Sequence, residues 1–430
     1  MGQRLRLAGI GCGGRVRTYF EIAARLPQLY EIVAPADPNP ARLALARALS
    51  GNPQLRTYAS DREMLAGPKC ADVMIIATQD EYHVQPCLAA MEKGYDILLE
   101  KPIATNLRDV LMLERRAAEL GRRVLVCHVL RYTPLYSTIK ELIASGVLGD
   151  IVAVHASEGV GAWHQAHSYV RGHWAVVERA TPMIVAKSCH DMDILAWLVD
   201  RPCESVASYG TRAHFTAANA PAGAPRRCTD GCPAADTCIY NALHYRGKHK
   251  GWLQWIYDQH ATASDAEITA WLAQSPWGRC VYHCDNTAVD RQVVALAFAG
   301  GVAATFTMTA FDEGRNIIVM GTKAVLRGGR ATRLGHGCDI MVEEHATGTR
   351  TPYAATARAG GYDGHEGGDP GLVHALYHEM TTAEPAQMRS SITRSVESHV
   401  MAFGAEESRC TGRMIDLQTY RQAFASQQSQ

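Results

Sequence analysis

The sequence Gly9-Ile10-Gly11-Cys12-Gly13-Gly14 decides the fold of the first part of the chain. It matches the pattern G-x-G-x-x-G, with its glycines at Gly9, Gly11 and Gly14. Residues 4–8 alternate like a β-strand, and residues 16–26 carry apolar side chains at helical spacing. A strand, a glycine turn and a helix in this order indicate a dinucleotide-binding unit, in which the backbone approaches a pyrophosphate at the helix N-terminus.

Asp37 ends the second predicted strand, which covers residues 31–37. An acid at this distance after the glycines is placed to accept hydrogen bonds from a ribose 2′-hydroxyl, and it would repel a 2′-phosphate. The sequence therefore favours NAD over NADP. Arg42 is the residue that could reverse this preference, because a nearby cation accommodates the phosphate.

Strands and helices continue to alternate as far as residue 128, which predicts a doubly wound parallel sheet. Ligands bind at the carboxyl ends of such strands. Four polar residues follow predicted strands there and are expected at the cofactor: Thr78, His83, Glu100 and Lys101. Lys101 could reach both the cofactor and a substrate, and the following Pro102 restricts the backbone that aims it.

The glycine turn, Asp37, Ala77-Thr78 with His83, and Glu100-Lys101-Pro102 resemble the Gfo/Idh/MocA family, named for glucose-fructose oxidoreductase and inositol dehydrogenase. The resemblance implies an α/β Rossmann domain, here residues 1–130, followed by an α+β domain with a large open, mainly antiparallel sheet, here residues 131–430. It also implies nicotinamide-dependent redox chemistry on sugars and cyclitols, and a homo-oligomer (dimer or tetramer) formed through the second domain.

Several residues of the second domain are predicted to contact the substrate. Arg131 and Tyr132 resemble the substrate-side Arg-Tyr of the family, and Asp193 is also part of the family pattern. Residues 163–174 mix aromatic and hydrogen-bonding groups, as sugar sites do. The candidates from this segment and from the glycine-rich loop at residues 361–369 are His164, His167, Tyr169, Arg171 and His365.

His190 is the predicted base. Ser188 and Asp191 match an S-x-x-D capping box, which places His190 in the first turn of a helix. The positive end of the helix dipole disfavours imidazolium, so a neutral His190 could take a proton near pH 7. Family members commonly carry Asp four residues earlier, where this chain has Ala186; Lys187, beside it, is predicted as a second acid/base group.

An insertion at about residues 215–285 is rich in cysteine. It contains Cys228, Cys232, Cys238, Cys280 and Cys284. In a reducing compartment such a group suggests a structural zinc site or, less simply, an iron–sulfur cluster. Free buried thiols are the alternative.

The composition excludes several classes of protein. A chain of 430 residues suits two domains. Lys+Arg and Asp+Glu both count 43, so no overall charge attracts nucleic acid or an anionic membrane. The sequence shows no membrane span and no signal-like segment, and we expect a cytoplasmic protein whose 13 cysteines are mostly reduced.

Three functions remain open from the sequence. The first is an NAD-dependent oxidoreductase acting on a secondary hydroxyl of a sugar, glycoside or cyclitol, with His190 taking the proton and Lys101 orienting the hydroxyl. The second is an NAD-dependent glycoside hydrolase that works by transient C3 oxidation, elimination and re-reduction. The third is a non-catalytic NAD-binding interaction protein.

Overall fold

A parallel five-stranded sheet occupies the first 130 residues of the computed structural model, which describes residues 4–355, 365–382 and 384–426. The strand order is β2-β1-β3-β4-β5. The strands are β1 (Leu5–Ile10), β2 (Tyr30–Ala36), β3 (Val73–Ile76), β4 (Asp96–Leu99) and β5 (Val124–Val126). The helices are α1 (Gly14–Ala24), α2 (Pro40–Ser50), α3 (Asp61–Ala66), α4 (Val84–Glu92) and α5 (Leu107–Glu119). The predicted doubly wound sheet is confirmed, and β3 is buried along its whole length, as an apolar strand covered on both faces should be.

A nine-stranded sheet forms the second layer of the molecule, in the order β13-β12-β11-β10-β6-β9-β8-β7-β14. Its strands are β6 (Ile151–Val160), β7 (Cys203–Thr211), β8 (Arg291–Phe298), β9 (Val302–Thr309), β10 (Glu313–Gly321), β11 (Ala324–Gly329), β12 (Ile340–Glu344), β13 (Arg350–Tyr353) and β14 (Ile415–Asp416). Only the β6–β9 pair is parallel among these described strands. The mainly antiparallel sheet implied by the family resemblance is therefore confirmed.

The helices of the second domain are α6 (Pro134–Ala144), α7 (Ala162–His164), α8 (Met183–Ala186), α9 (Cys189–Val199), α10 (Asp265–Gln274), α11 (Arg330–His336), α12 (Gly368–Thr381), α13 (Ile392–Thr411) and α14 (Leu417–Ser426). A layer formed by α6, α9, α11, α13 and α14 packs on the nine-stranded sheet, whereas α10 lies in the insertion and α12 packs against α1. Residues of β8 alternate between buried and exposed, because one face of the strand meets this layer and the other faces outward.

The C-terminal helices return to the first domain. Helix α13 packs against both α5 and α9. The backbone N–H of Val126 donates to the Ser390 carbonyl at 2.8 Å, and the Tyr30 hydroxyl donates to the Val373 carbonyl at 2.6 Å. The two domains are therefore held together by the C-terminal part of the second domain, and α9 contacts residues 129–132, which follow the carboxyl end of β5.

The insertion has a small core of its own. Tyr245, Leu253, Ile268 and Leu272 pack together there, and Ser264 with Glu267 forms a capping box that starts α10. Its segment at residues 250–258 packs against this core through Leu253 and also reaches the first domain, where it contacts α1 and the turn after β2.

The structure does not support the predicted zinc site. In the part of the chain that the structure describes, no three or more His, Cys, Asp or Glu side chains are grouped to hold a metal ion. The guanidinium of Arg171 lies 3.7 Å from the Cys228 sulfur, and the Cys284 thiol approaches the Cys280 carbonyl at 3.3 Å. Cys232 and Cys238 are likewise free thiols. A buried cation beside these thiols disfavours a metal cation in the same place.

Among the described residues, no helix combines the length and apolar character that crossing a membrane requires.

Candidate active site

A cleft of about 1550 Å³ runs from the glycine turn to the start of α9. It is larger than the roughly 300–1000 Å³ of ordinary small-molecule sites, so it has room for a dinucleotide and a second molecule. The first domain contributes Gly11, Gly14, Asp37, Thr78, Glu100 and Lys101 to its walls. The second domain contributes His164, His167, His190, Trp252, Trp255 and His365.

The glycine turn is shaped for close approach of a ligand to the backbone. Gly11 has φ of +79°, and a Cβ there would lie 2.8 Å from the Ala77 carbonyl oxygen. A Cβ on Gly9 would lie 2.7 Å from the side chain of Val16. Glycine is thus required at both positions, and the turn opens onto the N-terminus of α1, where an anion is favoured.

Asp37 lies at the end of β2 and is only 2% exposed. Its carboxylate accepts a hydrogen bond from the Asn39 backbone at 2.8 Å, and Arg42 approaches it at 3.6 Å. Arg42 therefore pairs with the acid. These residues fit a dinucleotide with a free 2′-hydroxyl, because that hydroxyl could donate a hydrogen bond to the Asp37 carboxylate.

Glu100 is held in a buried network that sequence reasoning missed. Its carboxylate accepts hydrogen bonds from Arg15 Nε at 2.6 Å and from the Tyr19 hydroxyl at 2.5 Å. The same arginine makes two bonds to Asp369, at 3.0 and 2.7 Å. Burial opposes ionisation of Glu100, but Arg15 and Lys101 lower its pKa below the usual value. Because Glu100 also accepts from the Lys101 backbone at 3.0 Å, it fixes the lysine that follows.

Lys101 joins the two domains at the cleft. Its ammonium donates to the Ala186 carbonyl at 2.8 Å, and the Lys101–Pro102 peptide bond is cis. His83, predicted as a cofactor contact, is buried behind this turn, with its ring nitrogens 2.8 Å from the Pro102 carbonyl and 3.3 Å from the Thr78 carbonyl. His83 therefore positions the turn, while Thr78 lines the cleft.

His190 lies in the first turn of α9 and is 3% exposed. Its Nδ1 atom is buried and has no hydrogen-bond partner among the described residues. Burial, with a further contribution from Lys101, lowers its pKa well below the usual value. The predicted capping box is wrong: within the described chain the Ser188 hydroxyl makes no cap bond, and Asp191 binds Arg315 at 2.8 Å instead.

Glu158, from β6, supplies a carboxylate near the helix position where the family's aspartate is missing. Its oxygens lie 3.2 Å from the Lys187 ammonium and 2.7 Å from the Arg315 guanidinium. Lys187, predicted as a second acid/base group, is therefore ion-paired. Burial raises the pKa of Asp191 to about 6, although Arg315 opposes this. Sequence reasoning missed Glu158 and Arg315 because they come from two strands whose spacing to His190 carries no signal.

Arg131 and Asp193 were predicted as substrate contacts, but they bind each other. Arg131 Nε and Nη2 donate to the two Asp193 oxygens, both at 2.7 Å, and the side chains are 2% and 0% exposed. Tyr132 is buried beside them, with its hydroxyl 3.0 Å from that of Ser390. This correction has a simple cause, since charged groups on different elements can satisfy each other away from the cleft.

Tyr169 and Arg171 also serve the core rather than the cleft. Tyr169 is 4% exposed, and Arg171 donates to the carbonyls of Arg279 at 2.7 Å and Tyr240 at 2.6 Å. These bonds hold the insertion to the second domain. Both predicted substrate contacts are therefore corrected.

The remaining predicted substrate residues do reach the cleft. His164 and His167 line it beside Trp252, and His167 Nδ1 lies 2.5 Å from the Tyr245 hydroxyl. Burial lowers the pKa of His167 to about 3. His365 lies 2.9 Å from Asp369, while residues 361–364 of its glycine-rich loop lie outside the described residues.

Comparison with known proteins agrees with this architecture. The model of an oxidoreductase family's NAD-binding Rossmann fold matches residues 5–128, and that of the C-terminal alpha/beta domain matches residues 140–390. The Bacillus subtilis (strain 168) protein YteT, named as an oxidoreductase, is 25% identical over 374 residues, covering 81% of this chain and 82% of that protein.

Two further proteins resemble part of the chain or its fold. Inositol 2-dehydrogenase of Mycolicibacterium smegmatis is 30% identical over 159 residues, covering 36% of this chain and 42% of that protein. The WlbA dehydrogenase of Chromobacterium violaceum, solved with NADH and UDP-GlcNAcA, has a TM-score of 0.66 at 18% identity, covering 97% of this chain and 96% of that one. At 18% identity, the likeness to the WlbA dehydrogenase shows the fold alone.

Proposed function

Because the chain belongs to the Gfo/Idh/MocA oxidoreductase family, we propose that it is an NAD-dependent oxidoreductase acting on a secondary hydroxyl of a sugar, glycoside or cyclitol. One observation carries the proposal: Lys101 and His190, from different domains, line the same cleft as the glycine turn and Asp37. The inositol 2-dehydrogenase relative supports a polyol as substrate.

The two residues divide the work on the hydroxyl group. Bound NAD would supply the hydride acceptor. His190 is neutral at pH 7, because its pKa is lowered by burial and by Lys101, so it can take the hydroxyl proton. One N–H of the Lys101 ammonium donates to the Ala186 carbonyl. Its other two N–H groups can donate to the substrate hydroxyl oxygen and stabilise the negative charge that develops there as the proton leaves.

The second domain offers groups that suit a sugar. The centroid of the Trp252 ring lies 5.0 Å from that of His164 and 4.9 Å from that of His167. Together these rings form an aromatic wall against which the apolar face of a sugar ring can pack. His365, held by Asp369, offers a polar group on the same cleft. Orientation of the substrate is therefore assigned to these residues.

Hydrolysis of a glycoside is the second candidate, in which a C3 hydroxyl would be oxidised with transfer of its hydride to bound NAD, the anomeric group eliminated with the C2 hydrogen, water added across the resulting double bond, and the C3 alcohol restored by return of the hydride. Two acid/base groups besides His190 favour it, at or beside the cleft. They are His365, which contacts Asp369, and Lys187, which is ion-paired with Glu158. Such a reaction needs one group to remove the C2 hydrogen and another to protonate the leaving oxygen.

The test is a screen of sugars, cyclitols and aryl glycosides with NAD, scored for NADH absorbance and for aglycone release. Net NADH supports the dehydrogenase, and NAD-dependent aglycone release without net NADH supports the hydrolase. Lys101→Met and His190→Gln should abolish most turnover, whereas Lys93→Met, at an exposed lysine bound to the Gly67 carbonyl, should not. Turnover that survives both substitutions would refute the roles assigned to Lys101 and His190, and NADH binding without turnover of any compound would leave a non-catalytic NAD-binding protein.

We further propose a cytoplasmic homo-oligomer, a dimer or a tetramer. The outward face of the nine-stranded sheet supports this, because Tyr209 and Val293 are paired on β7 and β8 and are 75% and 47% exposed. An open apolar sheet face is typical of an interface. Light scattering after size-exclusion chromatography tests it, and a monomer at all concentrations would contradict it.

A further inference from the structure

The segment at residues 250–258, which we call the strap, crosses from the insertion to the cofactor end of the cleft. It begins in a short 3-10 helix at Lys250–Trp255, anchored in the insertion core by Leu253. Trp252, Trp255 and Asp258 of the strap all line the cleft. The strap belongs to the second domain in sequence, but its far end lies against the first.

One end of the strap lies over the start of α1. The Trp255 ring covers Gly14 so closely that a Cβ on the glycine would lie 2.5 Å from it. The Arg17 guanidinium lies 5.5 Å from the centroid of the same ring and donates to the Gln254 side chain at 3.5 Å. These contacts are beside the backbone N–H groups that a pyrophosphate would use.

The other end of the strap meets the turn after β2. The Asn39 side-chain amide donates to Asp258 at 3.2 Å, while the Asn39 backbone donates to Asp37 at 2.8 Å. A single asparagine thus connects the strap to the acid that would accept the ribose hydroxyl. Asp258 brings a second carboxylate to this end of the cleft, which further disfavours a 2′-phosphate.

The contacts between the strap and the first domain are weak. Trp255 is 47% exposed, the Arg17 bond is long at 3.5 Å, and both the Arg17 and the Asn39 bonds lie at the surface. Exposed cation–π contacts are worth only about 0.5–1 kcal/mol each. Contacts of this strength can open and reclose while Leu253 stays packed in the insertion core.

We infer that the strap closes over a bound dinucleotide, with Trp255 and Asp258 as cofactor-holding residues supplied by the second domain, and that its opening limits the rate at which the cofactor leaves. The inference rests on the proposed binding of NAD in this cleft. It deepens the proposed function, because it names the second-domain residues that would hold the cofactor.

The test measures the dissociation of NADH from the full-length protein. NADH is bound, an excess of NAD is added in a stopped-flow instrument, and the loss of nicotinamide fluorescence is followed with direct excitation of the nicotinamide. Trp255→Ala and Asp258→Ala should each raise the dissociation rate about two- to fivefold, because each removes one weak attachment of the strap. Ile239→Ala is the matched control, since Ile239 is an exposed apolar residue of the same insertion.

The outcomes separate the two proposals. If wild-type protein binds NADH and both strap variants release it at the wild-type rate, the strap inference is overturned and the proposed function stands. If wild-type protein binds no NADH, the proposed function fails first. A thermal melt of each variant distinguishes a faster release from loss of the folded insertion, and a variant that unfolds is replaced by Trp255→Phe with Asp258→Asn.

Discussion

The buried pair of Arg131 and Asp193 gives the sharpest test of the structure, because the sequence alone assigns both residues to the substrate. Replacing Asp193 with Asn keeps the shape of the side chain but leaves the guanidinium unpaired, at a site where the two side chains are 2% and 0% exposed. Breaking a buried pair in this way costs about 3–5 kcal/mol of the free energy of unfolding.

The matched control is an exposed pair of the same kind. Arg4 and Glu31 lie 3.1 Å apart with side chains 50% and 45% exposed, so Glu31→Gln should cost less than about 1 kcal/mol. A double replacement, Arg131→Met with Asp193→Leu, should cost less than Asp193→Asn alone, because it removes both charges from the interior and fills the space with apolar side chains.

Urea unfolding followed by circular dichroism measures these three variants, and steady-state kinetics on any substrate found in the screen measures KM. The reasoning is refuted if Asp193→Asn is as mild as Glu31→Gln while KM rises tenfold. That result would return Asp193 to the substrate site.

Three further predictions concern the cofactor and the base. His190→Gln should lower kcat/KM by about 10²–10⁴ without changing the Kd for NADH. A fall in kcat/KM that is matched by an equal weakening of NADH binding would contradict its role as a base. Because the pKa of His190 is lowered, its imidazole becomes charged only at more acidic pH, so kcat/KM should stay level as the pH falls through 6.5; a loss centred at or above 6.5 would be inconsistent with this. Gly11→Ala should weaken NADH binding by about tenfold or more, since φ is +79° and the added Cβ meets Ala77, whereas Gly51→Ala, also at positive φ but with no described atom within 4 Å of the Cβ, should affect only stability.

The fold could be predicted from the sequence because its signals are local. A glycine turn between a strand and a helix, and apolar strands separated by helices, follow from spacing along the chain alone. The same spacing brings Asp37, Thr78 and Lys101 to one edge of the sheet, since the carboxyl ends of parallel strands lie together. His190 joins them because its helix packs beside that edge.

The pairing of charges could not be predicted in this way. Arg131 forms an ion pair with Asp193, and Arg315 forms ion pairs with Glu158 and Asp191. The partners lie on elements that are far apart in sequence. A local pattern shows which residues are charged but not which of them are already neutralised by a partner. The cysteines of the insertion illustrate the same limit, because their spacing suggested a metal and their surroundings include the guanidinium of Arg171.

The return of the last helices to the first domain has a consequence for any attempt to divide this protein. A fragment ending near residue 130 would lose the Ser390 carbonyl, which accepts from the Val126 N–H, and the Val373 carbonyl, which accepts from the Tyr30 hydroxyl. A donor at the edge of its sheet and another at the start of β2 would then lack their partners. Expressed alone, it should be poorly soluble, and adding a separately made C-terminal fragment should rescue it. The halves would then behave as one cooperative unit rather than as interchangeable modules.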